Sequence, residues 1–218
     1  MTTSELKNHI RFLGADLVGI ASVDRFSNAP EGFHPLDVLT TCKSVISFGI
    51  EFSKEYALSD DVKIYTHMRD VLTDECDRIA GELCQMLTSN CFECVAVPTC
   101  DSNYDTNTNR WRSIISIKHA AEAAGLGTIG RHSLLITPEY GALCWLGCVL
   151  TNAEFDYDEL CSSVCTNCNL CVEACPVGAI DSIKMNQQKC DEYAYREEGI
   201  VCHNCRDACP LNFGIRNI

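Results

Sequence analysis

The sequence is poor in positive charge. Seventeen Lys and Arg stand against 30 Asp and Glu, a formal net charge of −13. Nucleic-acid affinity draws heavily on Lys and Arg that neutralise phosphates, and no basic cluster is visible along the chain, so no nucleic-acid partner is expected. Long apolar runs are lacking too. The longest, ALCWLGCVL at 142–150, is too short to cross a bilayer as a helix, so no membrane partner is expected. The N-terminal stretch is polar and mixed in charge, without the apolar core of a signal peptide. A soluble, cytoplasmic protein is the expectation. Low-complexity segments are missing as well, and 218 residues at 46% hydrophobic composition suffice for one good core plus a smaller module.

Cysteine is what the chain has in excess: seventeen of them. In a reducing compartment, thiols at short regular spacing are more often metal ligands than disulfides. Cys165, Cys168, Cys171 and Cys175, followed by Pro176, have the full C-x2-C-x2-C-x3-C-P spacing of a ferredoxin-type run. Iron in a cluster is bound by soft sulfur donors. Two-residue gaps let one tight loop wrap three corners of a cubane, and in two-cluster proteins the fourth cysteine ligates the other cluster. Zinc usually takes paired knuckles instead.

The tail repeats this run without its first cysteine, as Cys202, Cys205, Cys209 and Pro210. The one cysteine between the two runs is Cys190, and the loop 191–201 returns it to the site at little extra entropic cost. Swapping last cysteines assigns one [4Fe–4S] cluster to Cys165, Cys168, Cys171 and Cys209, and a second to Cys175, Cys190, Cys202 and Cys205. The alternative is one cluster, with a structural zinc or free thiols at the tail. Of the other nine cysteines, Cys91 and Cys94 form a C-x2-C pair suited to metal or a disulfide. Several of the rest fall on apolar faces or strands, where cysteine acts as a small hydrophobe.

Periodicity predicts a helix over 4–13 with Ser4 as its cap and Gly14 as its stop, strands at 16–22, 44–52 and 94–99, and a long amphipathic helix over 62–88. That helix should bury Ile64, Met68, Val71, Leu72, Ile79, Leu83 and Leu87. Residues 101–111 read as a polar loop and 113–124 as a helix stopped by Gly125. Residues 132–151 read as a hairpin about the Pro/Gly turn PEYG. Beyond Cys161 periodicity fades, which sets a domain boundary near 155.

Gly125, Gly127 and Gly130 have G-x-G-x-x-G spacing. A dinucleotide loop should follow a strand and open a helix. Here the glycines follow a helix and precede a strand, so the nucleotide reading fails. What remains is close backbone approach to a neighbouring strand or a flat ligand.

AGLGTIGRHSLLITPEYG, CTNCNLCVEACPVGAI, the lone Cys190 in KCDEY, and CHNCRDACPLN resemble, in that order, the core of epoxyqueuosine reductases. More distantly they resemble corrinoid-dependent reductive dehalogenases. LGADLVGIASVDRF and YTHMRD resemble that family's opening segment. The resemblance implies an α+β protein: a nitroreductase-like α/β domain over 1–155 that binds cobalamin, then a ferredoxin-like two-cluster domain over 156–218. It also implies Gly125, Leu126, Gly127, Gly130, Arg131 and His132 as cofactor-binding residues, with Arg131 and His132 suited to corrin amides or phosphate.

The sequence departs from the family in two places. Epoxyqueuosine reductases carry an acidic proton donor in a D-x-x-P-x-x-E segment, but the matching stretch here is RWRSIISIKHAA, with Trp111 near the expected Asp. The helical-repeat tail used towards tRNA is not matched. A small-molecule substrate, or a corrinoid protein, is therefore expected instead of tRNA. The candidate proton donors are Tyr104, Lys118, His119 and Tyr140. A low-potential donor such as a ferredoxin or flavodoxin would supply electrons to a monomer or homodimer, in an anaerobic or strongly reducing cytoplasm. Two other readings remain open: a non-catalytic electron carrier serving another protein's corrinoid, and, more weakly, a flavin-dependent reductase.

Overall fold

The computed structural model describes residues 1–59, 61–100, 103–105, 110–181, 185–194 and 202–215, with backbone only at Val62, 103–105 and 110–112. The helices and strands, in chain order, are α1 (Thr3–Phe12), β1 (Leu17–Ser22), α2 (Pro35–Val38), β2 (Ser44–Glu51), α3 (Lys54–Ala57), α4 (Val62–Ser89), β3 (Cys94–Val97), β4 (Asn103–Asp105) and β5 (Arg110–Arg112). They continue with α5 (Ile117–Ala123), β6 (Thr128–Ile129), β7 (Leu135–Ile136), β8 (Cys144–Thr151), α6 (Leu170–Glu173), α7 (Gln187–Ala194) and α8 (Asn204–Asp207).

An antiparallel sheet of order β1-β2-β8-β3 forms the middle layer. Side chains alternate across a strand, and β2 uses both faces. Ile46, Phe48 and Ile50 pack with Leu6, Ile10, Ile79, Leu83 and Leu87 of α1 and α4. Val45 packs on the other face with Ile115, Ala120 and Ala124, around α5. With helices on both sides, seven of the eight β2 residues are buried, which is why the strand reads as an apolar run and not as an alternation. Each fully buried Leu or Ile contributes roughly 2 kcal/mol.

Several expectations from the sequence are corrected. The cap of α1 is Thr2, whose side chain accepts from Glu5 N while the Glu5 carboxylate takes Thr2 N–H. This reciprocal box satisfies two otherwise orphaned donors, so Ser4 lies inside the helix. On α4, Ile64 and Val71 are exposed, and the buried face runs Tyr65, Leu72, Cys76, Ile79, Leu83 and Leu87. Cys76 is fully buried on that face, as a small hydrophobe would be. Residues 101–111 are not all loop, since the backbones of β4 and β5 pair. Helix α5 starts at Ile117, later than residue 113. The expected 132–151 hairpin does not form. Strand β7 pairs with β6, while β8 pairs with β2 and β3, because β8 is the apolar strand that completes the central sheet.

The thiols of the sheet behave as core. Burial pushes Cys42 up to about 11 and Cys148 up to about 12. Above the ordinary thiol value of 9.0 the unfolded chain releases these protons and the folded chain keeps them, so stability falls as pH rises. We expect a loss of roughly 1.4 kcal/mol per pH unit per thiol between pH 9 and about 11. Denaturant unfolding at stepped pH measures it. Cys42→Ala with Cys148→Ala should flatten the slope, and an unchanged slope would refute this account.

Residues 153–164 run back over the sheet edge. Asp158 N–H donates to Ile20 O, and the Asp158 carboxylate accepts from Ile20 N at 2.8 Å and from Lys7 Nζ. Val164 N–H donates to Thr128 Oγ1 at 3.0 Å. At the far end, Ile215 N–H donates to Pro138 O at 2.8 Å. These bonds hold the cysteine runs against the 128–141 segment. Among the described residues, no helix is long and apolar enough to cross a membrane.

Candidate functional site

The first cysteine run turns sharply because Asn167 and Asn169 take left-handed backbone, at φ 56° and 69°. Asparagine tolerates that conformation better than most residues. The tight loop points Cys165, Cys168 and Cys171 into one cavity, and Cys209 from the second run completes its wall. The enclosed space is about 320 Å³, including what opens to solvent. Burial pushes Cys209 up, and the nearby Cys168, Cys171 and Cys165 push it further. Arg131 and His132 form another part of this wall, and Arg131 Nη2 donates to Asn167 Oδ1 at 3.3 Å.

Cys175 turns away into a different environment. Burial raises its pKa, but the backbone N–H groups of Val177, Ala179, Ile180 and Gly178 outweigh burial and lower it overall. The Ala179 N–H lies 3.2 Å from its sulfur. Cys190, on α7, is pushed up to about 11 by burial and then by Asp191, Cys202 and Cys175. Burial pushes Cys205 up to about 12, with Cys190 and Cys202 adding to it. So Cys190 has Cys175, Cys202 and Cys205 as neighbours, and Cys205 lies near Cys202 and also near Cys171 of the first run. Like charges this close resist joint ionisation unless a metal centre neutralises them. Both sets of four therefore have a donor chemistry that fits iron–sulfur clusters. Among the described residues, no three His, Cys, Asp or Glu side chains converge tightly enough for a single ion; the first set instead surrounds a space.

Arg206, beside Cys205, is 6% exposed. Its guanidinium lies 4.9 Å from the Tyr65 ring centroid and 5.7 Å from that of Phe52, and it donates to the Tyr65 hydroxyl. His203 stacks on Tyr65 at 4.9 Å and pairs with Asp207. Among the described residues no carboxylate pairs with Arg206. A buried cation without a counter-ion is costly, and anionic clusters beside it would supply the missing charge. The sequence reading missed Arg206 and Tyr65. Its only signals were a basic residue inside the CRDACP run and the YTHMRD segment.

A second, wider cleft is lined by Thr99, Cys100, Ser116, Lys118, Cys144 and Trp145, among others, and encloses about 700 Å³ including open solvent. Thr99 Oγ1 is buried there with no hydrogen-bond partner among the described residues. Trp145 Nε1 donates to Thr73 Oγ1 at 3.0 Å, which fixes the indole. Lys118 Nζ donates to both the carbonyl and the hydroxyl of Ser133 at 2.7 Å, and burial lowers its pKa. Ser133 follows His132, so Lys118 joins the cleft to the thiol cavity. An unpartnered hydroxyl, an aromatic wall and one amine fit an amide-fringed macrocycle.

Of the four candidate proton donors, Lys118 borders this cleft. His119 is exposed, with Nδ1 2.6 Å from Ser116 Oγ. Partial burial and Lys118 lower its pKa. The Tyr140 pKa is raised by burial, then by Asp16, Glu51 and Cys144. The Tyr104 side chain lies outside the described residues. The glycines meet the chain itself. A Cβ at Gly125 would sit 2.1 Å from Glu159 O, one at Gly127 2.3 Å from Ile136 O, and one at Gly130 2.6 Å from Ile136 Cδ1. Leu126 is in the core. The C-x2-C pair is split: Cys91 is exposed at φ 64°, while Cys94 Sγ donates to Cys84 O at 3.3 Å.

Residues 162–181 match the 4Fe-4S binding domain family. An epoxyqueuosine reductase of Listeria monocytogenes is 38% identical over 109 residues, 43% of this chain and 29% of that protein. One from Synechocystis is 30% identical over 201 residues, 81% of this chain and 65% of that protein. The chain thus spans less than two thirds of the curated relatives it matches. Among solved structures, epoxyqueuosine reductase from Streptococcus thermophilus superposes with a TM-score of 0.70 at 21% identity, over 97% of this chain and 66% of that one. A reductive dehalogenase described as acting by B12-dependent dehalogenation gives 0.74 at 20%, over 97% and 32%. The resemblance to the epoxyqueuosine reductase-like family, and the α+β fold with a ferredoxin-like segment, are borne out.

Proposed function

We propose that this chain is an iron–sulfur reductase with two [4Fe–4S] clusters, one on Cys165, Cys168, Cys171 and Cys209, the other on Cys175, Cys190, Cys202 and Cys205. In this reading residues 1–155 form a corrinoid-binding domain and 156–218 the cluster domain. The single observation that carries it is a cavity lined by Cys165, Cys168, Cys171 and Cys209 beside an open cleft, the two joined through His132, Ser133 and Lys118. A corrinoid, when bound, supplies a metal centre that accepts and passes on electrons one at a time. The chain would hold it with Thr99 Oγ1 and the hydroxyls of the cleft, and pack it against Trp145. Lys118 is the proposed proton donor. Its lowered pKa brings an ammonium closer to neutrality, where a general acid works best. The substrate would be a small organic molecule, in keeping with a net charge of −13, and a ferredoxin or flavodoxin would supply the electrons.

The test is anaerobic purification with iron, sulfide, cobalt and flavin quantified, followed by titration with cobalamin. About eight irons per chain are expected, with cobalamin bound at one per chain and Thr99→Val weakening it about tenfold. Protein with full clusters that binds no cobalamin would overturn the corrinoid step and favour an electron carrier. Released flavin would favour the flavin reading.

A further inference from the structure

We infer that His132 is the hydrogen-bond donor to the cluster held by Cys165, Cys168, Cys171 and Cys209, and that this bond makes that cluster easier to reduce. The inference rests on the cluster assignment above and assigns His132 a place in it. His132 is 2% exposed and forms part of the thiol-lined wall. Its tautomer follows from the backbone: Leu134 N–H donates to Nδ1 at 3.2 Å, so Nδ1 is the acceptor. In a neutral imidazole the proton then sits on Nε2. That Nε2 is buried and has no partner among the described residues.

A buried donor left unpaired is costly, and sulfur at the cavity is the acceptor that would relieve it. The glycine loop makes the placement possible. A Cβ at Gly130 would stand 3.0 Å from His132 Cε1, so a side chain there would crowd the ring. Hydrogen bonds to cluster sulfurs help set the reduction potential. A donor stabilises the more negative, reduced form, which raises the potential.

The experiment is an EPR-monitored redox titration of reconstituted wild type, His132→Leu and His132→Gln, with iron counted in each. The cluster concerned is identified by its change in Cys209→Ser. We expect wild-type iron content in both His132 variants, a more negative midpoint for that one cluster in His132→Leu, and partial recovery in His132→Gln, which keeps an N–H donor. Full iron with an unmoved midpoint in His132→Leu would overturn the inference. Should His132→Leu lose iron, pulsed EPR of the reduced wild type labelled with 15N-histidine decides it. A histidine nitrogen coupled to the cluster supports the bond, and no coupling overturns it. Wild type that takes up no iron fails the cluster assignment itself, before any variant is compared.

Discussion

Cys190→Ala should lower iron from about eight to about four per chain while the other cluster's EPR signal survives. Cys190 lies outside the tail's three-cysteine run and is held to it only by tertiary structure. It sits on α7, whose start is tied back by Asn186 N–H donating to Ala179 O at 2.7 Å. Cys202 and Cys175 are close enough to raise its pKa, as it raises that of Cys205. Removing one of four thiolates leaves an open iron corner and three thiols still pressed together. The first set shares none of these ligands and should keep its cluster. Cys91→Ala is the control, because that exposed residue at the end of α4 touches neither set. Two intact clusters in Cys190→Ala would refute the assignment.

Gly141→Ala should be the most destabilising Gly→Ala change among the described glycines, costing about 3 kcal/mol or more. Gly141 has φ +59°, and a Cβ there would stand 1.9 Å from Leu211 O and 2.5 Å from the Asn212 carbonyl carbon. Both obstacles are backbone and cannot rotate away. Gly214 answers from the other side, with φ +85° and a Cβ position 2.2 Å from Glu139 O. The two glycines let the PEYG turn and the chain just past Cys209 lie against each other. Gly141→Ala must push that chain away, so iron retention should fall along with stability. Gly32→Ala separates strain from collision. Gly32 also has positive φ, at +81°, but nothing lies within 4 Å of its Cβ position, so only the backbone strain of about 1 kcal/mol applies. Denaturant midpoints for the two variants measure the difference. Equal losses would show that the packing at Gly141 is not tight.

The parts of the fold that were legible share a local cause. Strand β2 and the long helix α4 announce themselves by period and length, and the stop at Gly125 is confirmed by its φ of +78°. The 132–151 hairpin misled because PEYG is a true turn, with Thr137 and Gly141 exchanging both backbone bonds. That turn joins strands which then pair elsewhere. The face of α4 was misread at Ile64 and Val71 because each stands one residue, about 100° around the helix, before Tyr65 and Leu72, which form the buried stripe with Cys76.

By itself, the sequence determined the thiol spacing, the acidic balance and the order of motifs, because these follow from which residues stand where along the chain. The tertiary structure alone decided the rest. It buried Arg206 with no carboxylate paired to it among the described residues, and set His132 in the wall of the thiol cavity. It also filled the space above each glycine of the G-x-G-x-x-G loop with the protein's own atoms. Each of these depends on segments far apart in sequence that meet only when the sheet closes, and no local pattern encodes such a meeting.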